Sequence, residues 1–160
     1  MTLSSTTFYA TKRWNAVTQG QKWSRILLVE NTTGTVGNSG LLHVCCTRGN
    51  VVCNATFIIN TSHASYGQIH QIGSNNYSKF KIRLLVNSSG YIIVDIYDTA
   101  NSIACAATQN WYCSYLSFQP ATVTTYTAFT DDSTIPSGYI SNGEMETVTG
   151  NDTSAIRSIT

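Results

Sequence analysis

The chain has 160 residues, and 42% of them are hydrophobic, which suits one compact domain with its own core. Charged residues make up only 11%, against roughly 25% in an average soluble protein, and the net charge is +1. We therefore discount nucleic acid and anionic membranes as partners, since neither would find a basic surface on this chain.

Hydroxyl and amide side chains take the place of the missing charges, with 41 serine and threonine residues and 13 asparagines.

The start of the chain, from Met1 to Thr7, lacks the features of a signal peptide, and no apolar run approaches the roughly 20 residues of a membrane span. The neighbours Cys45 and Cys46 favour free thiols over a disulfide framework. Neither cysteine nor histidine spacing suggests a zinc site, and we expect no metal and no cofactor.

About eight segments of the chain read as strands, and turn-forming residues separate them. No segment predicts a helix longer than one turn. We therefore expect an all-β fold, an antiparallel β-sandwich that resembles a jelly roll. Residues 1–22 would be a lead-in segment, residues 23–130 the sandwich domain and residues 131–160 a polar C-terminal extension. The predicted strands span residues 23–30, 41–47, 51–59, 65–72, 79–86, 91–97, 103–118 and 121–129.

The first convincing strand carries apolar residues on both of its faces. Strict alternation places Ile26 and Leu28 on one face and Trp23, Leu27 and Val29 on the other. In an isolated two-layer sandwich one of these faces would contact water, so we expect its burial against a neighbouring subunit or a preceding shaft. Trp23, Leu27 and Val29 are therefore the predicted oligomer interface.

The hairpin between residues 79 and 97 is the element that the sequence specifies best. Both strands alternate, and a three-residue loop with Gly90 in the left-handed conformation brings their apolar rows into register. Arg83 then lies opposite Asp95 on a face that we expect to be wet. The expected pairs on the dry face are Ile82 with Ile96, Leu84 with Val94, and Val86 with Ile92.

The carboxylates are too few and too scattered to predict an enzyme. A polysaccharide hydrolase usually needs two carboxylates at a fixed separation, and only Glu30, Asp95 and Asp98 precede residue 131. Asp95 already has a structural partner in Arg83, and the other two lie at strand ends, where charges are normally solvated. We therefore expect no catalytic residue.

The residues that suggest binding lie in and around the fourth predicted strand. Tyr66, Gln68 and His70 share one face of that strand, and the face lacks the aliphatic side chains of a core. Aromatic rings beside amide and imidazole groups suit neutral sugars, whose CH groups stack on rings while their hydroxyls bond to amides. The alternative is a solvated sheet face without a ligand. The candidate carbohydrate-binding residues are His63, Tyr66, Gln68, His70, Asn76 and Tyr77.

Two segments resemble the C-terminal β-sandwich domains of tailed-bacteriophage tail fibres and tailspikes. One is Gly20-Gln21-Lys22-Trp23-Ser24-Arg25-Ile26, preceded by Trp14, and the other is the run from Ala64 to Ile72. In that group of proteins a Gly-x-x-Trp-x-Arg-Ile/Val strand commonly opens a distal domain. The resemblance covers residues 12–140, and the opening strand is its one compact motif.

The resemblance implies a homotrimeric virion protein that is assembled in the host cytoplasm and attaches the phage tail to bacterial surface polysaccharide. A shaft or a depolymerase domain of the same protein would lie upstream. No catalytic residue is implied, because no catalytic motif is matched. The other interpretation that stays open is a structural trimerisation and folding cap whose surface binds nothing.

Overall fold

The computed structural model describes residues 12–16, 23–31, 37–48, 51–62, 66–76, 80–98, 109–126, 132–147 and 157–159. These residues form eleven β-strands and no helix, so none of them forms a helix that could cross a membrane. The strands are β1 (Lys12–Ala16), β2 (Trp23–Asn31), β3 (Ser39–Arg48), β4 (Val51–Ser62), β5 (Tyr66–Asn76), β6 (Phe80–Asn87), β7 (Ile92–Asp98), β8 (Gln109–Ser117), β9 (Ala121–Thr125), β10 (Tyr139–Glu146) and β11 (Arg157–Ile159).

The strands form two antiparallel sheets that pack face to face. Sheet A has six strands in the order β1-β8-β3-β4-β5-β11, and sheet B has five in the order β10-β6-β7-β2-β9. The inner faces share one core, in which the ring of Phe80 from sheet B meets Trp111 at 5.5 Å and Phe57 at 6.3 Å from sheet A. The predicted all-β sandwich is confirmed. Within sheet A the order β8-β3-β4-β5 has the spatial pattern of a Greek key.

The eight predicted strands correspond to β2 through β9, and the sequence pattern misses β1, β10 and β11. These three are edge strands, two in sheet A and one in sheet B. An edge strand pairs on one side only and buries less surface, so its sequence alternates less clearly. Residues outside 23–130 therefore contribute strands to both sheets.

The β6–β7 hairpin has the predicted register, with every expected pair in place. Gly90 has a φ of 73°, the left-handed conformation that the three-residue loop requires. The carboxamide oxygen of Asn87 accepts the backbone N–H groups of Ser89 at 3.0 Å and Tyr91 at 2.9 Å. The loop is therefore fixed by residues that lie within it or beside it.

The outer face of this hairpin is not wet, which corrects the prediction. Arg83 is 4% exposed, and Asp95 and Leu85 are fully buried. The reason is that β9 and β10 lie at opposite edges of sheet B, and the described part of the connection between them, which begins at Asp132, contacts this face. There, the backbone N–H of Asp132 donates to the Trp23 carbonyl at 2.8 Å, and the Asp132 carbonyl accepts a bond from Arg83. The segment predicted as a polar extension thus covers the hairpin.

A β-bulge in β2 changes which side chains of that strand point inward. Arg25 and Leu27 pair with consecutive residues of β7, so Ile26 is an extra residue in the ladder. The bulge shifts the alternation, and Leu27 and Val29 are fully buried in the core. The expectation that they share an exposed face with Trp23 is wrong. The reason for placing an oligomer interface on these three residues is therefore lost.

Gly67 allows a close approach between the two sheets. A Cβ at this position would lie 2.7 Å from Leu84 Cδ2 and 2.8 Å from Val86 Cγ2. We expect Gly67→Ala to lower the free energy of unfolding by about 1–3 kcal/mol through overpacking. Gly73, exposed in the same strand, has no atom within 4 Å of such a Cβ, and Gly73→Ala should change stability by less than about 0.5 kcal/mol. Equal urea midpoints for the two variants would contradict this packing.

Candidate functional site

The outward face of β5 carries the three central residues of the predicted site. Tyr66, Gln68 and His70 alternate with Gly67 and Ile69, which are buried between the sheets. The side chain of Tyr66 is 47% exposed, and those of Gln68 and His70 are half-buried. The three side chains therefore lie in one outward row, as the alternation predicts.

Hydrogen bonds join this row. Gln68 Nε2 donates to Tyr66 Oη at 2.8 Å, and Gln68 Oε1 lies 3.5 Å from His70 Nε2. Since a carboxamide oxygen can only accept, the second contact requires a proton on His70 Nε2. Tyr66 uses its oxygen as an acceptor here, which leaves its own O–H group to donate to a ligand.

Ser39 and Asn60 extend the row onto the two neighbouring strands. Asn60 lies opposite Gln68, and Ser39 lies opposite Asn60. Ser39 Oγ donates to Asn60 Oδ1 at 2.7 Å, so the N–H groups of the exposed Asn60 carboxamide remain available to a ligand. The sequence predicts a turn at Asn60, and only the pairing of β4 with β5 brings it beside Gln68.

A buried cluster next to Ser39 fixes this part of the row. Asn38 Nδ2 donates to the Gly90 carbonyl at 3.0 Å, and the backbone N–H of Asn38 donates to Thr61 Oγ1 at 2.8 Å. In return, the backbone N–H of Thr61 donates to the Asn38 carbonyl at 2.7 Å. These bonds join β3 and β4 to the β6–β7 turn of the other sheet. The neighbouring Ser39 and Asn60 are thereby held by both sheets.

Asn142 supports the exposed end of β5 from sheet B. Its Oδ1 accepts the backbone N–H of Gly67 at 3.3 Å, which fixes the backbone between Tyr66 and Gln68. Asn142 lies in a bulge of β10, where Gly143 has a φ of 107°. An Asn-Gly pair in a sequence signals a turn or bulge, but it does not reveal this contact with β5.

The face that carries the row is uncharged over the middle of four strands. Residues 39–45 of β3, 54–61 of β4, 66–73 of β5 and 111–117 of β8 contain no Lys, Arg, Asp or Glu. A charged ligand would therefore find no counter-charge there. The charged residues that the structure describes in sheet A lie on its edge strands β1 and β11 and at the end of β3, and they are Lys12, Arg13, Arg48 and Arg157.

Asn76, another of the predicted binding residues, does not join the row. Asn76 is the last residue of β5, which continues through residues 73–76 where the sequence predicts a loop. Extended strand separates Asn76 from Tyr66 by about 30 Å, so one sugar cannot contact both. His63 and Tyr77 lie outside the described residues.

The buried carboxylate of Asp95 has a guanidinium partner on each side. Arg83 Nη2 lies 2.8 Å from Asp95 Oδ2, and Arg25 Nε lies 3.3 Å from Asp95 Oδ1. Burial raises the pKa of Asp95, while the hydrogen bond from Arg83 and the two positive charges act against that rise. Asp95 thus pairs with Arg83 across the hairpin, the structural role that the sequence suggests. Within the described ranges, no three His, Cys, Asp or Glu side chains are grouped to hold a metal ion.

None of the protein-family models, curated proteins or solved structures compared with this chain matches it. The resemblance to phage tail-fibre domains therefore stays a prediction from the sequence. The function has to be inferred from the geometry of the uncharged face.

Proposed function

We propose that this chain is a non-catalytic module that binds uncharged bacterial surface polysaccharide through Tyr66, Gln68 and His70. The observation that carries the proposal is an exposed aromatic ring linked through hydrogen bonds to an amide and an imidazole, where the middle of four strands has no charged residue. A neutral sugar needs a ring on which its CH groups stack and neutral partners for its hydroxyls. This row offers both.

The three side chains have separate roles in the proposal. The Tyr66 ring supplies the stacking surface, and its O–H group donates to a sugar oxygen. Gln68 bonds to both of its neighbours and so holds the row in place before the ligand arrives, which reduces the entropy lost on binding. His70 is the last residue of the row, and its second ring nitrogen, Nδ1, can form a hydrogen bond with a sugar hydroxyl.

Binding at a single site is expected to be weak. Hydrogen bonds to the sugar replace hydrogen bonds to water, so stacking supplies most of the net free energy. A Kd on the order of millimolar, or about 4 kcal/mol, is consistent with that source. Because a neutral ligand has no charge to titrate, affinity should change little between about pH 5.5 and 8.

Tyr66→Ala should abolish detectable binding on a glycan array and leave the melting temperature nearly unchanged. The reason is that the ring is about half exposed and lies outside the core. Tyr112→Ala is the matched control, since it removes a half-buried tyrosine from the same face, on β8. The control should retain binding. If Tyr66→Ala lost stability together with binding, the ring would serve packing and not ligand binding.

The biological setting of the proposal rests on the resemblance between Gly20–Ile26 and the opening strand of phage tail-fibre domains. In that setting the chain is the distal domain of a virion protein, it follows a shaft or depolymerase domain, and its role is host attachment. Three copies in a homotrimer would present three weak sites and strengthen attachment through avidity.

A homotrimer should have about three times the chain mass of 17.5 kDa in light scattering at micromolar concentration. Leu27 and Val29 cannot form the contact between its copies, because they are core residues. A clean monomer would contradict the trimer and would leave the binding site itself intact.

A structural cap that supports trimer assembly and binds no ligand is the second candidate. The observation that favours it is a row of half-buried aliphatic side chains, Leu116, Leu41 and Ile58, beside the polar row. Such side chains can pack against another copy of the chain. A glycan array separates the two functions, because an intact trimer that binds no neutral glycan would be a cap.

A further inference from the structure

Phe118 is a second exposed aromatic ring on the uncharged face. It directly follows β8, is 55% exposed, and its backbone N–H donates to the Ser39 carbonyl at 2.8 Å. Ser117 is buried whereas Phe118 is exposed, so the Phe118 side chain lies outside the core. The following turn is fixed, because Ser117 Oγ donates to the Gln119 carbonyl at 2.6 Å and Pro120 comes next. The ring therefore has a defined place at the end of the polar row.

Phe118, Ser39, Asn60 and Gln68 occupy neighbouring positions across four adjacent strands. Phe118 bonds to Ser39, Ser39 lies opposite Asn60, and Asn60 lies opposite Gln68. With strands about 4.8 Å apart, this row measures about 14 Å from β8 to β5. Tyr66 extends it at the β5 end. An exposed aromatic ring thus lies at each end, with hydroxyl and amide groups between them.

We infer that the ligand is an uncharged saccharide chain that lies across β8, β3, β4 and β5, with one sugar on Tyr66 and another on Phe118. The inference rests on the proposed function and adds the length and direction of the bound ligand. Between the two rings, the carboxamides of Asn60 and Gln68 keep N–H groups that can donate to the hydroxyls of the intervening sugars.

The uncharged face selects against acidic saccharides. A uronate or phosphate group laid on this row would lose hydration, and the middle of the four strands has no Lys or Arg to replace it. A neutral chain has no such cost. Discrimination by charge therefore needs no charged residue in the site.

A second copy of the chain is the competing occupant, because the aliphatic side chains of Leu41, Ile58 and Leu116 lie beside the row. The two occupants can be told apart by mass. If Phe118 contacts another copy, removal of its ring lowers the mass of the assembly. If Phe118 contacts a sugar, the mass is unchanged.

The test is a titration of the full chain with neutral gluco-, manno- and galacto-oligosaccharides, from monosaccharide to hexasaccharide, and with oligogalacturonates of the same lengths. Affinity for at least one neutral series should rise with length until the saccharide reaches both rings. The oligogalacturonates should bind at least about tenfold more weakly. Equal affinity for the neutral and acidic series would overturn the inference.

Two single substitutions locate the ends of the saccharide. Phe118→Ala should weaken hexasaccharide binding about tenfold and leave monosaccharide binding unchanged, whereas Tyr66→Ala should abolish detectable binding of both. Phe118→Tyr, which keeps a ring, should bind like the wild type. Unchanged hexasaccharide binding in Phe118→Ala, or a lower mass of that variant in light scattering, would overturn the inference while the proposed function stands. Absence of binding to every neutral series by the wild type would overturn both.

Discussion

Asp95→Ala is expected to lower the free energy of unfolding by about 3–5 kcal/mol, because it leaves two buried guanidinium groups without their shared partner. Asp95 is fully buried, and the side chains of Arg83 and Arg25 are 5% and 14% exposed. Equilibrium urea unfolding measures the loss. Tryptophan fluorescence can follow it, since the Arg83 guanidinium lies 4.5 Å from the centre of the Trp23 ring.

A double variant separates the unpaired charge from the loss of volume. Arg83→Met combined with Asp95→Leu removes one positive and one negative charge and fills the space with apolar atoms. Arg25 then still has Asp132 as a partner, at 4.0 Å. We expect the double variant to be more stable than Asp95→Ala, because a buried ion pair can often be replaced by apolar side chains at little cost. A double variant as unstable as Asp95→Ala would show that unpaired charge is not the cause.

Leu84→Asp is expected to cost about 5 kcal/mol or more, which approaches the whole stability of a typical domain. Leu84 is 1% exposed and lies opposite Val94 on the inner face of sheet B. The substitution removes core packing and places a carboxylate where no charge can pair with it. Circular dichroism should show a largely unfolded chain, or a strongly lowered melting temperature.

Two milder substitutions on β6 control for this result. Leu84→Met keeps the apolar volume and should cost less than about 1.5 kcal/mol. Lys81→Ser lies on the opposite face of the strand and removes a cation–π contact with Tyr97 at 5.7 Å, which is worth about 0.5–1 kcal/mol. Similar melting temperatures for Leu84→Asp and Lys81→Ser would contradict the register of the hairpin.

The parts of the fold that could be predicted are those whose causes lie close together in the sequence. The register of β6 with β7 follows from their own alternation and from a loop that ends at Gly90. The bulge at Ile26 could not be predicted, because it appears only in the pairing of β2 with β7. The burial of Arg83 could not be predicted either, since it depends on contact with Asp132, which follows 49 residues later in the chain.

The residues of the candidate site likewise include some that the sequence predicts and some that it does not. Alternation alone places Tyr66, Gln68 and His70 on one face of a strand. Asn60 and Phe118 join them only because β4 and β8 take their places in sheet A, and strand order is not visible in local sequence. Because the strand order of sheet A brings these amides and rings together, no local sequence pattern could predict the row.

The most direct measurement of sugar binding at this face is a titration of the wild type, Tyr66→Ala and Tyr112→Ala with the neutral oligosaccharide series. We expect the wild type and Tyr112→Ala to bind with a Kd on the order of millimolar, and we expect no detectable binding by a folded Tyr66→Ala. Unchanged affinity in Tyr66→Ala, or a wild type that binds none of the neutral saccharides, would contradict the proposed site.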